Sequence, residues 1–295
     1  MLQLIAQRAA SMPATQQRMA AAVLADPFRA ATASIDDFAR GVGVSIASAN
    51  RFAVALGFRG YAQFKTELTR AFAATLAPVE RLRSGLAQGP ASCAEAMAMS
   101  LDEDMRNLEA CRESLDPATC ERAVDMILAA RSVNTLGFGA SAYLAGLLQH
   151  GLDAYCPNVT TLAQMPGPSH AARQIFKLGP EDLLIIVAMP RYSEDAVLLG
   201  RMARERGVKL LVLTDQQGSP VAPLADARIT IHAAKQMSAS SHAATLACIE
   251  ALCAAVARRT PQAVDRAQEL ARCVLPWLHI KKTRAGKRQS KEQEK

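Results

Sequence analysis

Little in this sequence of 295 residues points to a membrane, a disulfide scaffold or a metal centre. Its longest wholly apolar run, Leu183 to Pro190, is far short of the ~18 residues that a spanning helix needs. The first dozen residues, MLQLIAQRAASM, lack a basic stretch followed by a continuous apolar core, so no signal peptide is expected. The seven cysteines form an odd, scattered set without a C-x-x-C pair, which argues against disulfides and zinc and for reduced thiols in a cytoplasmic protein. The five histidines show no metal-ligand spacing either. Aromatic residues are few, at 4%, while half the chain is hydrophobic and alanine is abundant, as in a soluble globular protein of about two domains.

Charge is unevenly spread. Residues 1–75 carry +4 and residues 281–295 carry +5, whereas the stretch between them carries −2, giving the net +7. A basic head and tail around a near-neutral body fit a polyanion bound at the ends. The tail KKTRAGKRQSKEQEK reads equally as a solvated disordered end.

Residues 3–75 show helical periodicity with little strand signal, and two further helix-like stretches cover about 92–113 and 117–131. From Ser132 the short runs SVNTLGF, NVTTLA, DLLIIVAM, VKLLVLTD and ARITIH have β character, and helical stretches separate most of them. Such alternation predicts βαβ units and a parallel sheet covered on both faces. A helix-like pair at about 239–258 and 261–275 closes the body, and the proline-bearing stretch 75–92 is the best linker. The expected organisation is a helical domain over 1–77, a linker and connecting helix over 78–120, an α/β domain over 121–260, a C-terminal helix over 261–280 and a basic disordered tail over 281–295.

The segment SIDDFARGVGVSIASANRFAVALGF (34–58) is the most specific feature. Ser34 suits the N-cap of one helix and Asp36 and Asp37 its positive end. Gly41 and Gly43 bracket a tight turn, with Val44 as apolar plug; Ser45 caps a second helix and Gly57 ends it. On the second helix Ala49, Phe52, Ala53 and Leu56 recur at i, i+3, i+4, i+7 and form its buried stripe. That leaves Ala47, Ser48, Asn50, Arg51 and Val54 on other faces. Small side chains and an Arg near the start of a helix after a glycine turn are what a helix-turn-helix presents to a major groove. A helical hairpin in an ordinary bundle would share the spacing.

The stretch FARGVGVSIASANRFAVALGFRGYAQFKTEL resembles the DNA-binding domain of the RpiR/MurR family of bacterial transcription regulators. It matches the family pattern at Gly43, Val44, Ser45, Ala47, Arg51, Phe52, Leu56, Gly57, Phe58, Gly60, Tyr61, Phe64 and Lys65. Ser48 replaces Thr and Ala49 replaces Val. The resemblance implies binding to a palindromic double-stranded DNA operator. Arg51 and Lys65 are then the expected phosphate contacts, and Ser45, Ala47, Ser48 and Asn50 the residues at the groove.

In that family the second domain is a SIS (sugar isomerase) domain, and residues 121–258 resemble one in order and spacing. VNTLGFGASAYLAGLL (133–148) reads as strand, G-x-G-x-S turn and helix. Gly137 and Gly139 permit close backbone approach to a ligand, and Ser141 sits at the positive helix end. Glycines in βα turns are as often structural. In the next crossover Ser169 is placed to cap a helix. Most SIS domains follow the third strand with Ser-x-Ser-G-x-[ST]; here VAMPRYSED has Ala188 and Pro190 at the two serines, Arg191 at the Gly and Ser193 at the last position. The loop resembles a Pro-Arg-Tyr-Ser sub-type of these regulators. Three readings remain open from the residues. Arg191 replaces the lost hydroxyls around a phosphate or carboxylate; or Arg191 and Tyr192 face a non-phosphorylated effector; or the loop only turns a corner and Arg191 forms a structural ion pair.

His170, His242 and Glu250 are candidate bases for an isomerase. Relatives of this type carry Asp near Glu250 and Arg in the place of His242 without catalysing a reaction. The reading favoured is a sensor rather than an enzyme, without cofactor, binding a small anionic metabolite such as a sugar phosphate through Gly137, Gly139, Ser141, Arg191, Tyr192, Ser193 and His242. It is expected to form a homodimer or homotetramer. The alternatives are a phosphosugar isomerase with an accessory helical domain, and a phosphosugar-binding adaptor whose basic ends touch acidic proteins.

Overall fold

The computed structural model describes residues 1–71, 82–83, 86, 92–162, 167–216 and 218–277. The expected basic tail and most of the expected linker lie outside these residues. Compactness divides the chain into two units: Met1–Glu113 with Met189–Tyr192 and His232–Ala244, and the described residues of Ser114–Ala188, Ser193–Ile231 and Thr245 onward.

The first unit begins with six short helices: α1 (Leu2–Ala9), α2 (Ala14–Ala25), α3 (Pro27–Thr32), α4 (Ile35–Val42), α5 (Ile46–Ala55) and α6 (Tyr61–Ala71). Their ends follow from local chemistry. Pro27 occupies the first turn of α3, where it costs no hydrogen bond, and the Asp26 carboxylate accepts from the Arg29 amide at 2.9 Å. Ser34 caps α4 by accepting from the Asp37 amide at 3.1 Å, and Ser45 caps α5 by accepting from the Ser48 amide at 3.2 Å. Gly43, at φ 71°, makes the left-handed turn between them. Gly41 lies within the last turn of α4, so Gly43 alone makes the turn that the sequence assigns to the pair.

Ile5, Met19, Val23, Phe38, Phe52, Leu56, Phe64 and Leu68 fill the helical core. Phe52, Phe58, Phe64, Tyr61 and Phe38 form a chain of rings with centroids 5.6–5.8 Å apart, which fixes α4, α5 and α6 together. Burial pushes the Tyr61 phenol up to about 12.

The same unit holds α7 (Cys93–Glu113), the connecting helix, and the strap His232–Ala244. Five residues at helical spacing on α7 meet the strap. Lys235 Nζ donates to the Ser100 carbonyl (2.5 Å), the Ser100 hydroxyl (2.7 Å) and Asp104 (2.9 Å). The Gln236 amide donates to Glu103 (3.2 Å), Asn107 donates to the Ala234 carbonyl (2.7 Å), and the Cys111 thiol lies 3.1 Å from the His232 amide. Burial raises the Asp104 carboxyl, but hydrogen bonds from Ser241 and Lys235 and the Lys235 charge outweigh it, and the net shift is downward.

The second unit is α/β. After α8 (Pro117–Ala129) come β1 (Val133–Leu136), α9 (Ala140–Leu152), β2 (Val159–Thr161), α10 (Pro168–Ile175), β3 (Leu183–Ala188), α11 (Glu194–Glu205), β4 (Lys209–Thr214) and β5 (Ala227–Thr230). α12 (His242–Arg259) starts in the strap and runs on into this unit, followed by α13 (Ala263–Val274). The five strands are all parallel, in the order β2-β1-β3-β4-β5. Every residue of β3 is buried, as is every residue of β4 after Lys209, the pattern of a parallel sheet with both faces covered. At its edge Asp182, 1% exposed, accepts from Arg131, Ser132 and the Gly179 amide, which ties the loops that enter β1 and β3. Gly167 precedes Pro168 at the start of α10, so Ser169 lies within the helix and does not cap it.

Candidate functional site

The candidate DNA-contacting residues lie on and beside α5. Ser45 and Ser48 share a hydrogen bond at 3.0 Å, and Arg51 donates to the Ser48 hydroxyl at 3.0 Å. Spacing of three residues lines these groups up along one face of the helix. Ser45, Ala47 and Arg51 are exposed and Ser48 is half-buried. A small, polar, cationic surface thus runs up the first turns of α5.

Asn50 is exposed as well, but its Oδ1 accepts from the Tyr61 amide at 2.9 Å. A Cβ at Gly60 would sit 2.9 Å from the same oxygen, so glycine there makes room for the bond. Asn50 therefore links α5 to the start of α6. Lys65 is half-buried, with Nζ 3.4 Å from the Thr32 carbonyl at the end of α3.

In the second unit the strand order contains a topological switch point. Chain connections leave β1 toward β2 on one side, whereas β3, β4 and β5 build outward on the other, so the order reverses between β1 and β3. Their C-terminal ends, paired through Leu136 and Ile186, flank that reversal, which is where open parallel sheets take their ligands. A side chain at Gly137 would meet the Ser141 carbonyl oxygen at 2.3 Å, so the turn after β1 closes only around glycine. Gly139 (φ 58°, ψ −131°) takes the place of a side-chain cap at α9, and Ser141 is buried in the first turn. After β3, Ser193 caps α11 by accepting from the Asp195 amide at 3.2 Å. Between them Tyr192 is half-buried and Arg191 exposed. Arg191 has no ion-pair or hydrogen-bond partner among the described residues, so the structural ion pair weighed from sequence is not formed among them. Thr214 donates to the Ala188 carbonyl at 2.6 Å, which holds the end of β4 against that of β3.

His242 is the exposed first residue of α12. Just before it, Ser241 donates to Asp104 at 2.6 Å while accepting from the Ala244 amide at 3.0 Å. The sequence gives no sign of this role, since Asp104 lies 137 residues away. The three isomerase candidates lie on two helices, α10 and α12. His170 on α10 shares a contact with Gln174 at 3.2 Å, and Glu250 is exposed two turns along α12 from His242, about 12 Å by helical rise. Among the described residues no group of three His, Cys, Asp or Glu side chains is placed to hold a metal ion, and no helix is long and apolar enough to cross a membrane.

Residues 1–75 match the helix-turn-helix domain of the rpiR family and residues 126–255 match the SIS domain. The HTH-type transcriptional regulator HexR of Pseudomonas aeruginosa is 28% identical over 223 residues, covering 75% of each chain. The sugar isomerase domain of an RpiR transcription factor from Sphaerobacter thermophilus is 30% identical, with a TM-score of 0.55 over 59% of this chain and 97% of that one. The Vibrio vulnificus NanR protein, solved in complex with ManNAc-6P, shares the fold at 17% identity, with a TM-score of 0.58 over 95% of this chain and 99% of that one. With a capped, glycine-turned helix pair ahead of a five-stranded parallel SIS sheet, the chain belongs to the RpiR family of helix-turn-helix transcription regulators.

Proposed function

We propose that this DNA-binding regulator senses a phosphorylated sugar or a related anionic catabolite where β1 and β3 end, and that occupancy changes its affinity for the operator. The observation that carries the reading is Arg191: an exposed guanidinium without a partner among the described residues, in the loop that leaves β3 at the switch point. A planar, permanently charged fork there matches a phosphate or carboxylate and substitutes for the hydroxyls absent at Ala188 and Pro190. Across the reversal, Gly137 and Gly139 let the backbone approach the anion, and Ser141 stands in the first turn of α9 at its positive end. Tyr192, Ser193 and His242 complete the proposed effector contacts. The Pro-Arg-Tyr-Ser loop thus defines a sub-type that keeps an anion site with a cation in place of serines. The ManNAc-6P bound by the NanR protein is a ligand of this class.

On DNA, Arg51 and Lys65 would neutralise phosphates, and Ser45, Ala47 and Ser48 would face the groove, with Asn50 placed to support them. A two-fold dimer would present two such helices about 34–36 Å apart, one turn of the duplex. Effector binding then shifts the population between operator-competent and incompetent arrangements by its differential affinity for the two.

The test is a thermal-shift screen of phosphosugars and sugar acids, followed by operator binding with and without each hit. Arg191→Ala should retain operator affinity and lose the effector response. An Arg191→Ala protein that responds like the wild type refutes the assignment.

A further inference from the structure

Ile46, the first residue of α5, is an apolar side chain where the fold makes no use of one: it is 49% exposed. Ser45 already caps the helix, and Val44, the residue before the cap, packs against the helical core where a hydrophobic staple belongs. The buried stripe of α5 is complete without Ile46, since Ala49, Phe52 and Ala53 are fully buried. A β-branched residue also forms helix less readily than a straight-chain one. Neither capping, packing nor propensity accounts for isoleucine here.

Its neighbours narrow what the position can do. The polar side chains in the first two turns of α5 are engaged inside the domain: Ser45 with Ser48, Arg51 with Ser48, and Asn50 with the Tyr61 amide. Beside them at the helix tip stand Ile46 and Ala47, both exposed and neither with a side-chain donor or acceptor. The N-terminal residues of a recognition helix are the ones that reach base edges. Among the groups that base pairs present in the major groove, the apolar one is the thymine C5-methyl. We propose that Ile46 is a specificity-determining residue that packs on the C5-methyl of one thymine in each half-site. Ala47 ends at its Cβ, whereas the Ile46 side chain reaches beyond it. The inference rests on the placement of α5 in the major groove proposed above.

The test exchanges thymine for deoxyuridine, which removes the methyl and leaves base pairing intact. A duplex selected by the full-length wild type from a random pool is remade with deoxyuridine at one thymine at a time, and affinities are compared. At one position per half-site the wild type should lose about fourfold, the value of burying one such carbon. Ile46→Ala should bind the thymine duplex at least about fourfold more weakly and make no distinction between thymine and deoxyuridine at that position, closing a double-mutant cycle. Its slope of log K against log salt should equal that of the wild type, because no phosphate contact is removed. A changed slope would mean that the helix itself has moved, and refutes a direct contact. Wild-type binding indifferent to deoxyuridine at every position refutes the inference, as does an I46A protein that still discriminates. Methylation of guanine N7, which obstructs the major groove, separates the two readings. If it abolishes binding while deoxyuridine has no effect, the groove placement stands and Ile46 alone is refuted; if neither matters, both fall.

Discussion

Replacing Lys235 with methionine tests the latch between α7 and the strap. The Lys235 side chain is 11% exposed and its partner Asp104 18%, so the pair is shielded from screening by solvent and salt. Removing one member of a well-buried pair strands the other and costs on the order of 3–5 kcal/mol. Asp104 keeps the Ser241 hydroxyl, which places the expected loss at the lower end of that range. Lys235→Met also deprives the Ser100 carbonyl and hydroxyl of their donor. Urea denaturation of the wild type, Lys235→Met, Asp104→Asn and the double variant forms a thermodynamic cycle, and the double variant should cost clearly less than the sum of the singles. The sign with pH follows from the depressed Asp104 carboxyl. A depressed carboxylate contributes stability above its unfolded value and loses it as pH falls through its folded value. The advantage of the wild type over Lys235→Met should therefore be full at neutral pH and shrink below about pH 4, the ordinary range for aspartate. Additive singles, or a Lys235→Met loss within about 0.5 kcal/mol of zero, would refute the latch.

Two other outcomes follow from the site. Gly137→Ala drives a methyl into the Ser141 backbone and should destabilise the second unit by about 1–3 kcal/mol, seen as an earlier urea transition, with the effector response lost in the surviving protein. Arg51→Ala should lower the slope of log K against log salt by about 1 on any duplex, and an unchanged slope would remove Arg51 from the phosphate contacts.

Much of the fold is legible in the residues because its signals are local. All five β-type runs became strands, most plainly DLLIIVAM, whose unbroken apolar character has a single physical reading: a strand buried on both faces. The caps at Ser34 and Ser45 and the left-handed Gly43 need only a neighbouring amide or one backbone angle, so they too can be read in advance. Where two local signals compete, the reading slips. Pro168 behind Gly167 starts α10 earlier than Ser169 would, because proline fixes the first-turn backbone and needs no hydrogen-bond partner.

The site was legible in part. Gly137 declares itself by its motif, but the force of that glycine, a carbonyl where a methyl would go, requires the folded turn. The Lys235 latch could not be read at all: its partners on α7 lie more than 130 residues back in the chain, and nothing near Lys235 marks it as destined for burial.

Asn50 looks, by residue type, like a reader of bases. Its carbonyl oxygen instead holds the amide that begins the next helix, in a space that exists only because residue 60 has no side chain. The acceptor half of this exposed side chain is thereby committed to joining two helices. Paralogues that diverge toward new operators, or engineers who retarget this one, have Ala47 to vary without breaking a side-chain bond, whereas Ser48 is tied to Ser45 and Arg51. A change at Asn50 would tilt the helix before it altered what the helix reads.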